Sequence, residues 1–380
     1  MQMKAGLYLG TTGFGLIAVC YGFARFAFGL FLPQIDADLS LSVTLSGFIS
    51  GGSFLGYCIA IILSAYLTER VGARAVAIGA ALVAALGMLG IATASSPLLL
   101  ASAVMLAGSS TGLASPPMAA AVAAMVRAER QNETNTLINA GTSAGVVLSG
   151  PVALLAGGHW RIAFAGFAAV ALLMALAVAF SVPATRAVPT RAAGQPPLTG
   201  ALKRLIVASF LMGAASTAVW SFGAQLVKAQ LGWGTTGAGL LWIAIGAAGI
   251  AGASAGALVQ RFGMELVHWL FLSALSVGVL LIGSSATTPM LALVGGLLFG
   301  ASYITLTGIY LIWGVAALPD RPATGLMVSF LMIAIGQTAG GPIFGLISDR
   351  WTADHAVISF ACLAFAAGFA RAGSAKLRTA

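Results

Sequence analysis

Twelve apolar runs, separated by short polar breaks, follow one another along almost the whole of this 380-residue sequence. An α-helix needs about 20 apolar residues to cross the hydrocarbon core of a bilayer, so each run is long enough to span it. Hydrophobic residues make up 59% of the chain and charged residues only 7%, which is too little polar surface for a water-soluble fold. The sequence therefore predicts an all-α integral membrane protein with twelve transmembrane helices.

Glycines, prolines and charge clusters mark the limits of the predicted spans. The spans are Leu7–Leu32, Thr44–Tyr66, Ala73–Thr93, Leu98–Val126, Thr134–Ala156, Ile162–Val182, Leu205–Val227, Gly237–Val259, Leu266–Ser284, Met290–Ala317, Thr324–Ile347 and a last one between Trp351 and Arg371. A polar stretch over residues 183–200 contains four prolines and two arginines. We interpret it as a cytoplasmic linker between two domains of six spans each, residues 1–182 and 201–380.

The distribution of basic residues predicts which side of the membrane each connection faces. Fourteen of the eighteen Lys and Arg residues lie in connections and tails on the side of the N-terminus, whereas the opposite side holds Arg161, Lys228 and Arg350. Because loops rich in Lys and Arg remain in the cytoplasm, both termini are expected there. The net charge of +9 then reflects topology, and no nucleic-acid partner is expected. We expect a multi-pass monomer in a bacterial inner membrane.

The two halves of the sequence share landmarks at a nearly constant offset. Glu69-Arg70-Val71-Gly72 corresponds to Gln260-Arg261-Phe262-Gly263 at an offset of 191 residues, the difference between positions 69 and 260. The same offset relates Gly145 to Gly336, Gly150-Pro151 to Gly341-Pro342 and Trp160 to Trp351, and an offset of 192 relates Gly47 to Gly239. This predicts two parallel six-helix repeats. Features found in both repeats are expected to serve the scaffold, and features found in one are candidates for function.

The loop after the second span reads Ala65-Tyr66-Leu67-Thr68-Glu69-Arg70-Val71-Gly72-Ala73-Arg74. With its second copy at residues 256–263, it resembles the cytoplasmic loop signature of the major facilitator superfamily, and the resemblance covers essentially the whole chain. Glu69 and Ala65 stand where that family usually has Asp and Gly. The resemblance implies the major facilitator fold and a loop that latches its two halves. Glu69, Arg70, Arg74 and Arg261 thus become candidate gating residues, and an ordinary positive-inside loop with a local ion pair is the alternative.

Two shorter patterns are also similar to sequences of that family. Gly150-Pro151, with Gly141 and Gly145, resembles a Gly-Pro motif of its antiporters. Small residues let helices approach closely and Pro151 permits a bend, but Gly341-Pro342 repeats the pattern, so helix packing is the favoured interpretation. The pattern Gly22-x-x-Arg25-Phe26 is similar to the bacterial YbfB-like branch, and it indicates no substrate.

Arg25 falls well inside the first predicted span, eight residues before Pro33 and about 12 Å from the external end at 1.5 Å per residue. The corresponding residue of the other repeat, Ser216, is neutral. A guanidinium within the membrane costs at least about 2.5–3.5 kcal/mol, so it needs a partner or a water-filled cavity. No Asp or Glu lies deep in a predicted span, which favours an anionic substrate such as a carboxylate. Backbone carbonyls and water, or snorkelling towards Asp36 or Asp38, are the alternatives.

Aromatic and polar residues at helical spacing are candidates for the wall of a substrate cavity. Two triplets share a helical face, namely Tyr21, Arg25 and Phe28, and Tyr303, Thr307 and Tyr310. In the family that the sequence resembles, the first, fourth, seventh and tenth spans line the cavity. The remaining candidate substrate-binding residues are Asn139, Trp220, Trp242 and Gln337. For any single aromatic residue, helix packing or an interfacial belt is the alternative.

Opposite charges stand at the external ends of the first and seventh spans. Asp36 and Asp38 follow the first span, and Lys228 follows the seventh. We expect these residues to form a latch that is closed when the protein faces inward. Ordinary loop charge is the alternative.

The sequence offers no catalytic residues, metal ligands or cofactor site. It lacks the Gly-x-x-x-x-Gly-Lys-Ser/Thr loop that binds ATP, and its three His and three Cys residues have no spacing suited to metal binding or nucleophilic catalysis. The leading interpretation is a secondary active transporter for a small organic anion, coupled to protons through the carboxylate of the substrate. Exchange and facilitated diffusion are alternatives to this coupling, and Glu133 and Asp36 are peripheral alternatives as proton carriers. A multidrug efflux proton antiporter, and a membrane receptor or assembly protein without transport, are the alternatives.

Overall fold

The computed structural model describes residues 2–182, 184 and 198–371. In this part of the chain eleven helices are long and apolar enough to cross a membrane, and a shorter apolar helix covers Ala353–Phe369. The all-helical architecture predicted from the sequence is confirmed. Most of the predicted linker, residues 183 and 185–197, lies outside the described residues, as do residues 372–380.

Helix α1 changes its winding in the middle. It begins as an α-helix over Gln2–Ile17, continues as a π-helix over Ala18–Phe26 and returns to an α-helix over Ala27–Leu39. A π-helix is wound more loosely than an α-helix, with hydrogen bonds from residue i to i+5, so the angular spacing of its side chains differs from α-helical spacing. Such segments occur frequently at functional sites, and this one contains Arg25.

The remaining helices are named in chain order. They are α2 (Val43–Val71), α3 (Ala73–Thr93), α4 (Pro97–Met125), α5 (Ala128–Ala156), α6 (Trp160–Ser181), α7 (Gly200–Trp220, then Gly223–Leu231), α8 (Thr235–Gly249, a 3₁₀ turn over Ile250–Ser254, then Ala255–Phe262), α9 (Met264–Gly283), α10 (Pro289–Ala317), α11 (Pro322–Arg350) and α12 (Ala353–Ala366, then a 3₁₀ turn over Ala367–Phe369). We call the end of the bundle that carries the α1–α2 turn the predicted external end, and the opposite end the predicted cytoplasmic end.

Corresponding turns in the two halves of the sequence share a backbone conformation and a type of helix cap. Gly72 and Gly263 have φ angles of 91° and 83°, in the region that only glycine adopts without strain. Ser96 and Thr288 cap α4 and α10, since each hydroxyl accepts a hydrogen bond from the backbone N–H three residues later, and each is followed by proline. The glycine of the predicted loop signature is therefore required by its turn in both copies.

Helix neighbours in the first half of the chain recur in the second half. Helix α1 packs on α5, α2 on α4 and α3 on α6, while α7 packs on α11, α8 on α10 and α9 on α12. The first six helices meet the last six mainly where α2 packs on α11 and α5 packs on α8. These two contacts correspond to each other when α2 is matched with α8 and α5 with α11.

Four glycines allow close approach where the two sets of helices meet, and we call them the glycine seam: Gly47, Gly150, Gly239 and Gly341. A Cβ atom on Gly47 of α2 would lie 2.3 Å from the carbonyl oxygen of Gly341 of α11. A Cβ atom on Gly150 of α5 would lie 2.7 Å from the carbonyl oxygen of Gly239 of α8. A methyl group at these positions would push the helices apart, so the seam depends on glycine.

Candidate functional site

Arg25 is the only Asp, Glu, Lys or Arg that is buried among the residues the structure describes, with 7% of its surface exposed. It lies in the π-helical stretch of α1. Its Nη2 donates a hydrogen bond to Oε1 of Gln337 in α11, at 2.8 Å. Gln337 is itself fully buried. The bond connects the first six helices to the last six in the interior of the bundle.

The side-chain amide of Gln337 is held on both sides. Its Nε2 donates to the hydroxyls of Ser216 at 3.2 Å and Tyr303 at 3.1 Å. Because a guanidinium has donors and no acceptor, the amide oxygen must face Arg25 and the amide nitrogen must face the two hydroxyls. Ser216 lies 191 residues after Arg25, the offset that relates the two predicted repeats, so Gln337 bridges two positions of α1 and α7 that this offset matches.

Aromatic rings surround the guanidinium of Arg25. Its Cζ lies 4.6 Å from the ring centre of Phe54, 4.7 Å from that of Tyr57, 5.3 Å from that of Phe26 and 5.7 Å from that of Tyr21. All four distances fall within the range of about 6 Å over which a cation interacts favourably with an aromatic ring. The rings therefore stabilise the cation in part, without neutralising it.

Two further aromatic residues extend this arrangement towards the last six helices. Trp220 of α7 stacks on Phe26 with 4.1 Å between ring centres, and Tyr303 of α10 makes an edge contact with Trp220 at 5.3 Å. We call the whole group the Arg25 cluster, which consists of Arg25, Gln337, Ser216, Tyr21, Phe26, Phe54, Tyr57, Trp220 and Tyr303.

The Arg25 cluster has more hydrogen-bond donors than acceptors. Within the described chain, Nε of Arg25 and Nε1 of Trp220 are buried and have no hydrogen-bond partner. Among the described residues no ion pair involves Arg25, so no described carboxylate neutralises it. A ligand that brings a negative charge and acceptor oxygens would satisfy these groups.

The π-helix changes which aromatic residues of α1 lie beside Arg25. Helical spacing predicted a shared face of Tyr21, Arg25 and Phe28. Tyr21 does belong to the cluster, and its hydroxyl lies 3.1 Å from Oγ of Ser115 in α4. Phe28 is buried, but the ring of α1 that contacts both Arg25 and Trp220 is Phe26. The expected face assumed α-helical winding, and among the described residues the ring contacts of Arg25 do not include Phe28, whose place in a substrate site stays a prediction.

Sequence reasoning missed the two rings nearest to the guanidinium, Phe54 and Tyr57. They lie three residues apart in α2 and are 3% and 2% exposed. Their spacing places them on one helical face. That pair of aromatic residues was the available signal, but the second span was not expected to line the cavity.

Tyr310 and Thr307, which share the predicted face of Tyr303, have partners elsewhere. The hydroxyl of Tyr310 lies 3.1 Å from Nε2 of His268 in α9 and donates to the carbonyl oxygen of Ala208 at 3.4 Å. The Thr307 hydroxyl donates to the carbonyl oxygen one turn earlier in its own helix. In the described part of the chain, no hydrogen bond or ring contact joins either side chain to the Arg25 cluster.

Trp242 and Asn139 also lie apart from the Arg25 cluster. Trp242 is fully buried in α8, next to Gly223 of α7. Asn139 lies on an exposed part of α5. Neither has a hydrogen bond or ring contact with a member of the cluster among the described residues. Of the sequence candidates, the structure therefore brings together Arg25, Tyr21, Trp220, Tyr303 and Gln337.

At the predicted external end, α1 and α7 are in direct contact. A Cβ atom on Gly29 would lie 1.9 Å from the carbonyl oxygen of Trp220. Asp36 accepts a hydrogen bond from Nε2 of Gln225 at 3.1 Å, and Nζ of Lys228 lies 3.5 Å from the carbonyl oxygen of Pro33. The two helix ends predicted to form a latch do meet, but each charged group of this contact has a neutral partner: the Asp36 carboxylate an amide and the Lys228 ammonium a backbone carbonyl.

Asp38 pairs with a different cation from the one predicted. Its partner is Arg161 at the start of α6, and the two side chains are 44% and 42% exposed. No ion pair joins Asp36 or Asp38 to Lys228 among the described residues. Asp38, Arg161 and Lys228 are the charged groups that line a cleft of about 670 Å³ at the predicted external end.

At the predicted cytoplasmic end, the three arginines among the candidate gating residues contact their own half of the chain. Arg70 lies over the ring of Tyr66, with its Cζ 4.3 Å from the ring centre, and Nε of Arg74 donates to the carbonyl oxygen of Val182 at 2.5 Å. Arg261 lies over the ring of Phe262 at 5.2 Å. Glu69 is exposed, and the structure gives it no hydrogen bond or ion pair with a described residue.

No group of three or more His, Cys, Asp or Glu side chains that could hold a metal ion occurs among the described residues.

A sequence profile described as Major Facilitator Superfamily matches residues 14–337. No curated protein matches the chain at a significant level.

Solved structures of transporters share the fold of this chain. A mutant form of the nucleoside transporter NupG is 13% identical, with a TM-score of 0.79 over 95% of this chain and 98% of that one. The xylose transporter XylE from E. coli, in a partially occluded inward open conformation, is 15% identical, with a TM-score of 0.78 over 96% and 97%. A bacterial homologue of the human lysosomal transporter Spinster, inward-facing and occupied, is 15% identical, with a TM-score of 0.74 over 97% and 95%.

Proposed function

The chain belongs to the Major Facilitator Superfamily, and we propose that it is a secondary active transporter that moves a small organic anion across the membrane by alternating access. It is a multi-pass membrane transporter of that family rather than an enzyme. The proposal adds an anionic substrate bound at Arg25, coupling to protons, and a place in a bacterial inner membrane with both termini in the cytoplasm.

The observation that carries the proposal is the uncompensated charge of Arg25. The residue is 7% exposed, its guanidinium is hydrogen-bonded to a neutral amide, and its buried Nε has no partner among the described residues. Leaving a cation in this state costs at least about 2.5–3.5 kcal/mol on membrane insertion scales. A carboxylate would remove that cost, since it neutralises the charge and accepts two parallel hydrogen bonds from the fork of Arg.

The position of the Arg25–Gln337 bond suggests how binding couples to conformational change. An anion bound to the guanidinium competes with Oε1 of Gln337 for the Nη2 donor, so it acts on a contact between the first six and the last six helices. A ligand shifts a conformational equilibrium only when it binds two states with different affinity. Competition for one donor across this interface supplies such a difference.

The contacts between the two sets of helices support two rigid bodies that rock against each other. The helix pairs of the first half recur in the second, and the glycine seam and the contact of Gly29 with Trp220 bring the two sets together at the predicted external end. In this view the conformation is closed to the outside. Glu69, Arg70, Arg74 and Arg261 would then latch the predicted cytoplasmic end in the opposite state.

We propose that the carboxylate of the substrate carries the coupled proton. All nine Asp and Glu residues lie outside the Arg25 cluster, so the cluster has no carboxylate that could carry a proton. The carboxylate of the substrate can itself be protonated and neutralised. A drug-efflux antiporter is less well supported, because the buried positive charge of Arg25 repels the lipophilic cations that such proteins bind.

A thermal-stability screen of the detergent-solubilised protein tests the proposal. Small carboxylates, neutral drugs and lipophilic cations are each added to wild type, to Arg25→Gln and to the control Arg161→Gln, whose side chain is partly exposed and paired with Asp38. Carboxylates should raise the Tm of wild type and of Arg161→Gln and leave that of Arg25→Gln unchanged. Stabilisation by cations, or equal stabilisation of Arg25→Gln by carboxylates, would contradict the proposal.

A flux assay separates a transporter from a receptor that keeps the fold. The best stabilising carboxylate is labelled and its movement into proteoliposomes is followed. Exchange across the membrane supports transport, and binding without any exchange would instead support a receptor.

A further inference from the structure

The charge of the Arg25 cluster limits the charge of its ligand. Arg25 is the only buried Lys or Arg among the described residues, and it contacts no acidic side chain there. One cation neutralises one carboxylate, whereas a second carboxylate in the same place would remain buried and unpaired. The cluster therefore suits an anion with a single negative charge.

The shape of the cluster limits the body that carries this charge. The ring centres of Phe54 and Tyr57 lie 4.6 and 4.7 Å from Cζ of Arg25, and Phe26, at 5.3 Å from the same atom, stacks on Trp220. Aromatic rings prefer flat partners in stacked or edge-to-face geometry, and such contacts strengthen binding beyond the effect of buried area. A flat ring bonded directly to the carboxylate would keep the charge at Arg25 while its faces pack on these side chains.

The unpartnered donors indicate a second polar group on the ligand. Nε1 of Trp220 is a donor only, is buried and has no acceptor among the described residues. Trp220 is 3% exposed and contacts both Phe26 and Tyr303. The hydroxyl of Tyr303 accepts a bond from Gln337, so its own hydrogen is free to donate. A hydroxyl or carbonyl oxygen on the ring could accept from these groups.

We propose that the transported anion is a planar aromatic monocarboxylate with an oxygen substituent on its ring, bound by Arg25 at the carboxylate and by Trp220 at the substituent. The inference rests on the proposed function, since it assigns a substrate class to the same site. It excludes aliphatic acids and dicarboxylates as preferred substrates. It also assigns a specificity role to the indole N–H of Trp220.

Binding of a small panel to the purified full-length protein tests the charge and shape arguments. The probes are benzoate, cyclohexanecarboxylate of similar size without an aromatic ring, terephthalate with two carboxylates, and neutral benzamide. Each aromatic contact contributes about two- to tenfold in affinity, so benzoate should bind at least about tenfold more tightly than cyclohexanecarboxylate. Terephthalate and benzamide should bind more weakly than benzoate.

A matched pair of variants tests the role of Trp220. Trp220→Phe keeps a ring and removes the N–H, and Trp242→Phe makes the same change at another buried tryptophan whose Nε1 also lacks a partner among the described residues. The hydroxybenzoate isomer that binds wild type best should bind Trp220→Phe no more tightly than benzoate does. It should keep its advantage in affinity over benzoate in Trp242→Phe. Loss of the advantage in both variants, or in neither, would overturn the assignment.

The panel also separates this inference from the proposed function. If cyclohexanecarboxylate or terephthalate binds as tightly as benzoate, and Arg25→Gln abolishes that binding, the aromatic class is wrong while the anion transporter stands. If no carboxylate binds to wild type, both are wrong.

Discussion

Arg25 in α1 donates a hydrogen bond from Nη2 to Oε1 of Gln337 in α11, and the 2.8 Å bond crosses the interface between the first six and the last six helices. The partner of the buried cation is thus a neutral amide that is fixed by Ser216 and Tyr303. An amide satisfies one donor and leaves the charge in place. This arrangement keeps a guanidinium available to an anion in the interior of the bundle.

Replacing the amide by a carboxylate should mimic a bound substrate. In Gln337→Glu the new carboxylate would lie beside Arg25, neutralise it and compete with any anion from solution. We expect the affinity for carboxylates to fall about ten- to a hundredfold, the equivalent of losing hydrogen bonds to a charged group worth about 1.5–3 kcal/mol. The ligand-free Tm should not fall.

A thermal-shift titration of the purified variant with carboxylates measures both the affinity and the ligand-free Tm, and Gln225→Glu serves as a control outside the cluster. Unchanged carboxylate affinity in Gln337→Glu would contradict the role of Arg25.

The glycine seam predicts a substitution that shifts the conformational equilibrium. In Gly47→Ala the added Cβ would lie 2.3 Å from the carbonyl oxygen of Gly341, so α2 and α11 must separate. We expect a larger population open at the predicted external end. Spin labels at exposed positions 95 and 229, in a cysteine-free background, report this as a longer distance in pulsed electron resonance. Gly79→Ala is the control, because nothing lies within 4 Å of its added Cβ. Identical distance distributions for the two variants would argue against the seam.

Charge swaps identify the partner of Asp38. An exposed ion pair stabilises by about 0–1 kcal/mol, so single reversals at Asp38 or Arg161 should lower the Tm only slightly. Combining Asp38→Arg with Arg161→Asp should return the Tm to the wild-type value, whereas combining Asp38→Lys with Lys228→Asp should not. Thermal denaturation of the four single variants (Asp38→Arg, Asp38→Lys, Arg161→Asp and Lys228→Asp) and of the two double variants measures the coupling. If only the double variant Asp38→Lys with Lys228→Asp regained the wild-type Tm, the result would support the latch predicted from the sequence and contradict the pairing found in the structure.

His268 tests the claim that the substrate carries the proton. It is fully buried in α9, with Nε2 at 3.1 Å from the Tyr310 hydroxyl, and is separate from the Arg25 cluster. We expect His268→Gln to keep uptake driven by a proton gradient and to lose at most about 1 kcal/mol of stability, the value of one hydrogen bond. Tyr310→Phe removes the same bond and is the control. Proteoliposomes in which His268→Gln exchanges substrate but no longer accumulates it would show that the proton passes through His268 instead.

Much of the scaffold could be predicted because it depends on local and repeated patterns. Apolar runs of sufficient length give spans wherever they occur, and the matching Gly72 and Gly263 have matching positive φ angles because one turn recurs in both halves. The offsets of 191 and 192 residues also marked all four glycines of the seam, Gly150 with Gly341 and Gly47 with Gly239. Their actual contacts, of Gly150 with Gly239 and of Gly341 with Gly47, depend on how the two sets of helices meet and required the structure.

The site was predicted in part, for a physical reason. A lone Arg in a span is conspicuous since burying its charge is costly, and Gln337 was among the expected wall residues. The neighbours Phe26, Phe54 and Tyr57 were not expected. The π-helix of α1 changes the angular spacing that identifies a helical face, and no sequence pattern predicted the π-helix. The pairing of Asp38 with Arg161 likewise follows from the tertiary position of α6.

Counterflow in proteoliposomes gives the most direct test of whether Arg25 binds the transported anion. Vesicles loaded with the carboxylate that stabilises wild type most strongly are diluted into the labelled compound, and the label that enters is measured for wild type, Arg25→Lys, Arg25→Gln and Arg161→Gln. We expect counterflow by wild type and Arg161→Gln, weak counterflow by Arg25→Lys, which keeps the charge without the planar fork, and none by Arg25→Gln. Counterflow by Arg25→Gln at the rate of wild type would contradict binding of the anion by Arg25.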